Sequence, residues 1–237
     1  MIKDKDKMQD AKIRNNIEQG NSMLDDKNQG ELFKSLKLSL QAFQSKRLSQ
    51  TYEDIKQNPE YALIGDFFFN KLYAPEDFTF RDTSIKKLHK ALDGKVYKGM
   101  VTGVTKVIEL HELSDRLDNF MVDKMIESGI DENMTMEEYQ KVYRSLDNYD
   151  ERLYQINLGA EVTTTFHKLS RKWIVGVSLK TVKVAAMMFS IKPVIDFVYD
   201  GYSSFRTIKN IDYFIDTILQ REIAWHNEIW SKNKTDV

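Results

Sequence analysis

Turn-forming residues are scarce in this chain: 10 Gly and 3 Pro are the only strong breakers in 237 residues. A backbone so rarely interrupted cannot make the many tight turns of an all-β fold, whereas helices need breakers only at their ends. Between the breaks, apolar residues recur at helical spacing. Leu32, Leu36, Leu40 and Phe43 fall at i, i+4, i+8 and i+11, one face of a helix. That helix is expected to run to about Gln57, where Asn58-Pro59 stops it.

The same reading continues along the chain. Glu60 to Tyr73 forms a shorter, aromatic-rich helix ended by Pro75, followed by a loop over 74–81 that holds Phe78 and Phe80. Asp82 caps a short helix closed by Gly94. A long helix spans 96–128, with Val104, Val107, Ile108, Leu117, Phe120 and Met121 apolar. Thr135 and Glu138 match a capping box and start another helix at Met136. Asp150 to Leu169 is apolar on two sides, as a central helix would be. A further helix covers Lys172 to Ser190, Lys192-Pro193 marks a break or kink, and a last helical stretch reaches Trp230. The expectation is all-α: a single-domain bundle of about seven to nine helices over 29–232. A polar segment over 1–28 precedes it and a short tail over 233–237 follows.

Composition removes several chemistries. With no Cys there is no disulfide framework, thiolate zinc site, iron–sulfur cluster or thiol-based catalysis. A formal net charge of −1 supplies no field for gathering nucleic acid, so none is expected as a partner. The start, Met1 to Asp10, alternates Lys with Asp instead of leading into an apolar run, which suggests no secretion signal and a cytoplasmic location. The most apolar region, Trp173 to Tyr199, has its longest charge-free run over the eight residues Val184 to Ile191. A membrane span needs roughly 20. Trp173 to Phe197, with Lys180, Lys183 and Lys192, could instead lie against a membrane surface.

The stretch from Gln44 to Asp82 interleaves apolar, aromatic and ionisable residues beyond what a surface helix needs. It contains Gln44, Arg47, Leu48, Thr51, Tyr52, Asp54 and Ile55; then Pro59 and Tyr61; then Phe67, Phe68, Leu72, Tyr73, Pro75, Asp77, Phe78, Arg81 and Asp82. In this it resembles the bacterial family named for its FFLEELY motif, carried in a domain of unknown function. Weaker resemblance continues through Glu161-Val162, Arg171-Lys172, Gly201-Tyr202 with Phe205, and Arg221-Glu222. Where the family name spells L-E-E, this chain has Phe69, Asn70 and Lys71, so those positions supply no carboxylate. Ala74 stands where the family has glycine, and that position does not demand a positive φ. The resemblance implies a family without an assigned chemistry.

Gln44, Arg47 and Thr51 share one helical face, and Arg47 lies near the apolar stripe. An arginine entering a core must be paired, because an unpaired buried charge costs several kcal/mol. Candidate partners are Asp77, Asp82, Glu161 and Glu222. Two readings stay open: an ion pair that locks the fold, or an anion-binding site. Together with Tyr52, Tyr73 and Arg81, these residues form the candidate polar network. Glu222 and His226 are one turn apart, but two ligands do not make a metal site, and no metal or other cofactor is expected. A ferritin-like di-iron centre would want two Glu-x-x-His motifs, and the sequence has none. Nucleophile elbows and phosphate loops are missing as well.

Core packing explains Phe67 to Phe69, Tyr73, Phe78 and Phe80 most simply. Three successive phenylalanines cannot all face one way on a helix, however, so one should reach a second helix, a partner or a cavity. Met187, Met188 and Phe189 could line such a cavity. The leading expectation is a non-enzymatic helical protein that binds a partner protein or a small, largely apolar ligand. An enzyme with an Arg/carboxylate/Tyr pocket, in which Arg47 holds an anion and Tyr52 or Glu161 moves a proton, is the alternative. A homo-oligomer stays open.

Overall fold

The computed structural model describes residues 30–68, 98–177, 179 and 192–232. Among them every regular element is helical. The first helix, α1, covers 30–51 and is followed by α2 (Glu53–Gln57) and α3 (Ala62–Asp66). Then come α4 (Lys98–Glu127), α5 (Met136–Ser145), α6 (Tyr149–Ser170), α7 beginning at 173, α8 (Lys192–Thr207) and α9 (Ile211–Ser231). No described helix is long and apolar enough to cross a membrane.

Local chemistry accounts for most boundaries. Thr135 accepts from the Glu138 backbone N–H while the Glu138 carboxylate accepts from the Thr135 backbone, the reciprocal capping box expected at the start of α5. At the end of α4, Gly129 takes φ +66°, and the Ile130 N–H reaches back to the Met125 carbonyl. Glycine suits that left-handed position because it has no Cβ to clash. Asn210 caps α9 by accepting from the Tyr213 N–H. Pro193 lies in the first described turn of α8, and whether it marks a break or a kink turns on residues outside the described ones.

Three expectations change in detail. The helix that was to run unbroken from Glu31 to Gln57 carries an irregularity at Tyr52, whose φ of −113° and ψ of 25° separate α1 from α2. The Thr51 hydroxyl bonds back to the Arg47 carbonyl one turn earlier, a contact that competes with regular helix. Leu32 is 46 % exposed, and the buried stripe of α1 runs through Leu36 and Leu40 with Phe33 and Phe43 beside them. Phe120 is 44 % exposed as well, because Leu117, Met121, Val122 and Met125 already fill the inner face of α4. The short helix expected after Asp82, the loop over 74–81, Phe69 and Met187 to Phe189 lie outside the described residues.

α6 is central, packing against α4, α8 and α9. Gly103 of α4 allows close approach there: a Cβ at that position would come within 2.9 Å of Leu169 on α6. Two apolar clusters form most of the core. One joins Tyr52, Ile55, Tyr61, Ile64, Phe67 and Phe68 to Phe205, Ile208 and Phe214. The other joins Leu36 and Leu40 to Met121, Met125, Tyr139, Val142 and Ile229. Following α1 leads from the second cluster to the first; following α9 leads from the first to the second. The two helices are therefore antiparallel neighbours.

Phe67 of the first cluster lies across Gly201 of α8 so closely that a Cβ would approach its ring to 2.7 Å. Gly201→Ala is expected to destabilise by about 1–2 kcal/mol in urea unfolding, since a packed ring yields little. Gly159→Ala, with nothing within 4 Å of the new methyl, is expected to be neutral or to stabilise by up to about 1 kcal/mol.

Candidate functional site

Between the two apolar clusters, α1 and α9 each contribute one charge. Arg47 donates from both terminal nitrogens to the Glu222 carboxylate, at 2.9 and 2.7 Å. Each side chain retains only 12 % of its accessible surface. The paired geometry is the fork that guanidinium and carboxylate planes form best. The guanidinium also lies 4.1 Å from the centre of the Trp225 ring, which covers it with a polarisable face. Tyr52 donates to Glu222 at 2.8 Å, so one carboxylate holds both partners.

Electrostatics follow from that closure. Burial alone would weaken the charge on Arg47, but the Glu222 carboxylate outweighs it and holds the guanidinium above its ordinary value. Burial, reinforced by Glu222, pushes the Tyr52 phenol far up, so this hydroxyl stays protonated and acts as a donor. Arg47 has both terminal nitrogens bonded to Glu222, and its Nε has no hydrogen-bond partner among the described residues. Glu222 already neutralises the guanidinium and Trp225 covers its face, so a ligand anion would find a compensated and largely covered cation. The arrangement suits a lock.

A second cationic contact sits on the rim. Arg221 donates to the Thr51 carbonyl at 2.9 Å and to both Asp54 oxygens at 2.8 and 2.7 Å. Its bond holds the Asp54 carboxyl below the usual range. The irregular backbone around Thr51 and Tyr52 is thus tied to α9 from two directions, by Arg221 outside and Glu222 inside.

The polar seam continues inward from Gln44, which donates to Asp118 of α4 at 3.1 Å. Asp118 is buried, and burial raises its carboxyl pKa against the opposing pull of Arg152. Arg152 of α6 is only 3 % exposed; it donates to the Leu117 carbonyl and lies 4.8 Å from the Tyr143 ring centre. Tyr143 in turn bonds Nδ1 of His226 at 3.0 Å. His226 is fully buried and lies against the Tyr149 ring, tilted to it, with ring centres 4.4 Å apart. Burial, aided by the Arg152 charge, lowers its pKa.

The expected residues therefore divide into three groups. Arg47, Tyr52 and Glu222 meet directly; Thr51 supports them through the backbone, and Gln44 opens the path toward Asp118. Glu161 does not join them: α6 buries Leu158 and Val162, so Glu161 points outward and pairs with Lys106 of α4. Tyr73, Asp77, Arg81 and Asp82 lie outside the described residues. Sequence reasoning missed Asp118 and Arg152. The available signal was a charge inside an otherwise apolar stripe: Asp118 follows Leu117 and precedes Met121. The Glu222/His226 pair does not form a metal site, because Glu222 is held by Arg47 and Tyr52 while His226 Nδ1 faces Tyr143. Among the described residues no group of three or more His, Cys, Asp or Glu side chains is placed to hold a metal ion.

His226 gives a pH prediction. Its folded pKa lies below the unfolded value of about 6.5, so the unfolded chain takes up the proton first as pH falls. The stability associated with neutral His226 is complete above that value and declines below it. Urea unfolding at pH 7 and pH 5.5 should show a larger loss for the wild type than for His226→Gln. Equal losses would refute this.

Residues 23–236 match the family described as Domain of unknown function (DUF8198). Neither a curated protein nor a solved structure matches the chain. Since the match extends over nearly the whole sequence and takes in both halves of the Arg47–Glu222 lock, the chain belongs to the DUF8198 family.

Proposed function

We propose that this protein is a non-enzymatic helical binding protein that works through its outer surface, with the partner a protein segment docked along α9. The observation that carries this reading is a shallow, open depression of about 480 Å³ along α9, lined by Asp216, Leu219, Gln220, Ile223, Ala224 and Asn227. Asp216, Gln220, Ala224 and Asn227 lie on the side of α9 turned away from Phe214 and Glu222, with the half-buried Leu219 and Ile223 at its margin. They recur at i, i+3, i+4, i+7, i+8 and i+11, so the trough follows about three helical turns. Leu219, Ile223 and Ala224 supply an apolar floor, with Asp216, Gln220 and Asn227 as polar edges. Such an elongated stripe suits an amphipathic segment with anchors at the same spacing. A small, largely apolar ligand is the competing occupant, and the volume falls within the range of small-molecule pockets.

A binding role is favoured over a catalytic one by what the polar residues are already doing. Glu222 occupies the Arg47 nitrogens that an anionic substrate would need. Tyr52 is held protonated, and Glu161 sits at the surface beside Lys106. Arg47, Tyr52 and Glu222 converge on one another, with Glu161 apart from them, and this mutual pairing favours binding over catalysis. The resemblance of residues 44–82 to the bacterial FFLEELY-motif proteins supports a bacterial setting.

Ala224→Arg tests the reading, because Ala224 is exposed and arginine is a good helix former. Native mass spectrometry of protein isolated from its own cells should show a bound polypeptide that the variant loses, with the melting temperature unchanged. A bound small molecule lost in the same way would assign the groove to a ligand instead. No adduct, or one indifferent to the substitution, would contradict the proposal.

A further inference from the structure

At the start of α7 the helix is apolar on two sides. Val175 and Leu179 point inward, at 3 % and 2 % exposure, and pack with Leu169 and Tyr202. Trp173, Ile174 and Val177, at i, i+1 and i+4, share the opposite side and are 77 %, 39 % and 52 % exposed. A surface helix normally turns polar residues outward, so an outward Trp–Ile–Val face calls for a reason. Trp173 is among the most costly side chains to leave in water, since a tryptophan carries a large apolar area.

Charge supplies the second, independent observation. From Val162 to Ile195 the sequence runs for 34 residues without one Asp or Glu, although the chain holds 36 of them. The same stretch carries Lys168, Arg171, Lys172, Lys180, Lys183 and Lys192, a charge of +6 in a protein whose net charge is −1. Lys168, Arg171 and Lys172 are exposed beside Trp173. Arg171 is partly committed, donating to the Ile208 carbonyl, which ties this corner to the end of α8. Among the described residues, the Lys168 and Lys172 side chains make no comparable bond.

We infer that this corner is a membrane-contact surface for an anionic lipid bilayer, in which Trp173, Ile174 and Val177 enter the headgroup boundary while the surrounding cations meet lipid phosphates. Indole prefers that boundary, where its apolar ring and N–H are both accommodated. Lysines at the same depth extend their ammonium groups outward along their own stems. The exposed apolar residues are few, so contact is shallow and reversible and depends on charge as well as burial. An acidic protein would satisfy the cations, but it would not require a protruding tryptophan at their centre. The contact is separate from the α9 groove, and neither depends on the other.

Flotation of the full-length protein with lipid vesicles tests the assignment. Vesicles of phosphatidylcholine with about 30 % phosphatidylglycerol should carry the protein upward, because each basic residue near such a surface contributes about fivefold in partitioning. Pure phosphatidylcholine, or about 0.5 M salt, should reduce binding by roughly tenfold or more. Trp173→Ser should lower partitioning about tenfold, and Lys168→Glu with Lys172→Glu by at least as much. Melting temperatures close to that of the wild type would show that both variants fold. Ala224→Arg, on the groove of α9, should float normally. Absence of flotation, or flotation unchanged by both variants, overturns the inference. So does binding of polyglutamate that the lysine substitutions abolish without any affinity for vesicles, which would assign the corner to an acidic polypeptide.

Discussion

The ion pair between Arg47 and Glu222 is the constraint around which the bundle is arranged. Two apolar clusters meet near it, and neither could by itself fix how α1 and α9 slide along one another. Leucine and phenylalanine contacts tolerate a shift of one turn, about 5.4 Å, if the new neighbours are also apolar. A largely buried guanidinium does not tolerate it. Such a slip would leave two charges in an environment that strips most of their water, at a cost of several kcal/mol. Specificity for one register is what the pair adds, whatever its net contribution to stability.

Neighbouring groups reinforce that choice. Trp225 covers the guanidinium, Tyr52 completes the hydrogen bonding of the carboxylate, and the irregularity after Thr51 brings Tyr52 into place. Arg221 then secures the same backbone from outside through the Thr51 carbonyl and Asp54. Beyond Gln44, the seam through Asp118, Arg152, Tyr143 and His226 draws α4, α5 and α6 into the same polar layer. The two proposed contacts, along α9 and at the Trp173 corner, lie outside this polar layer.

Helix positions were legible because their signals are local. The Thr135–Glu138 box and Asn58-Pro59 each act within one turn, and the structure begins or ends helices there. Arg47 was recognisable for a related reason: a cation close to an apolar stripe demands a partner wherever that partner comes from. Which carboxylate answered could not be read, since Glu161 and Glu222 differ only in the side of the helix that tertiary packing turns inward. Phe120 and Leu32 show the same limit. Each lies on an apolar face by spacing alone, yet neighbouring residues had already filled the space available. Asp118 and Arg152 were missed because their burial depends on one another and on Gln44, from three separate helices.

A double-mutant cycle on Arg47→Met and Glu222→Leu, read by urea unfolding, bears most directly on this account. Each single substitution should destabilise by about 3–5 kcal/mol by leaving its partner buried and unpaired. The double variant should recover much of that loss, giving a coupling of about 2 kcal/mol or more. Losses below about 1 kcal/mol that simply add, as for a solvated surface pair, would contradict the claim that this contact sets the register of the bundle.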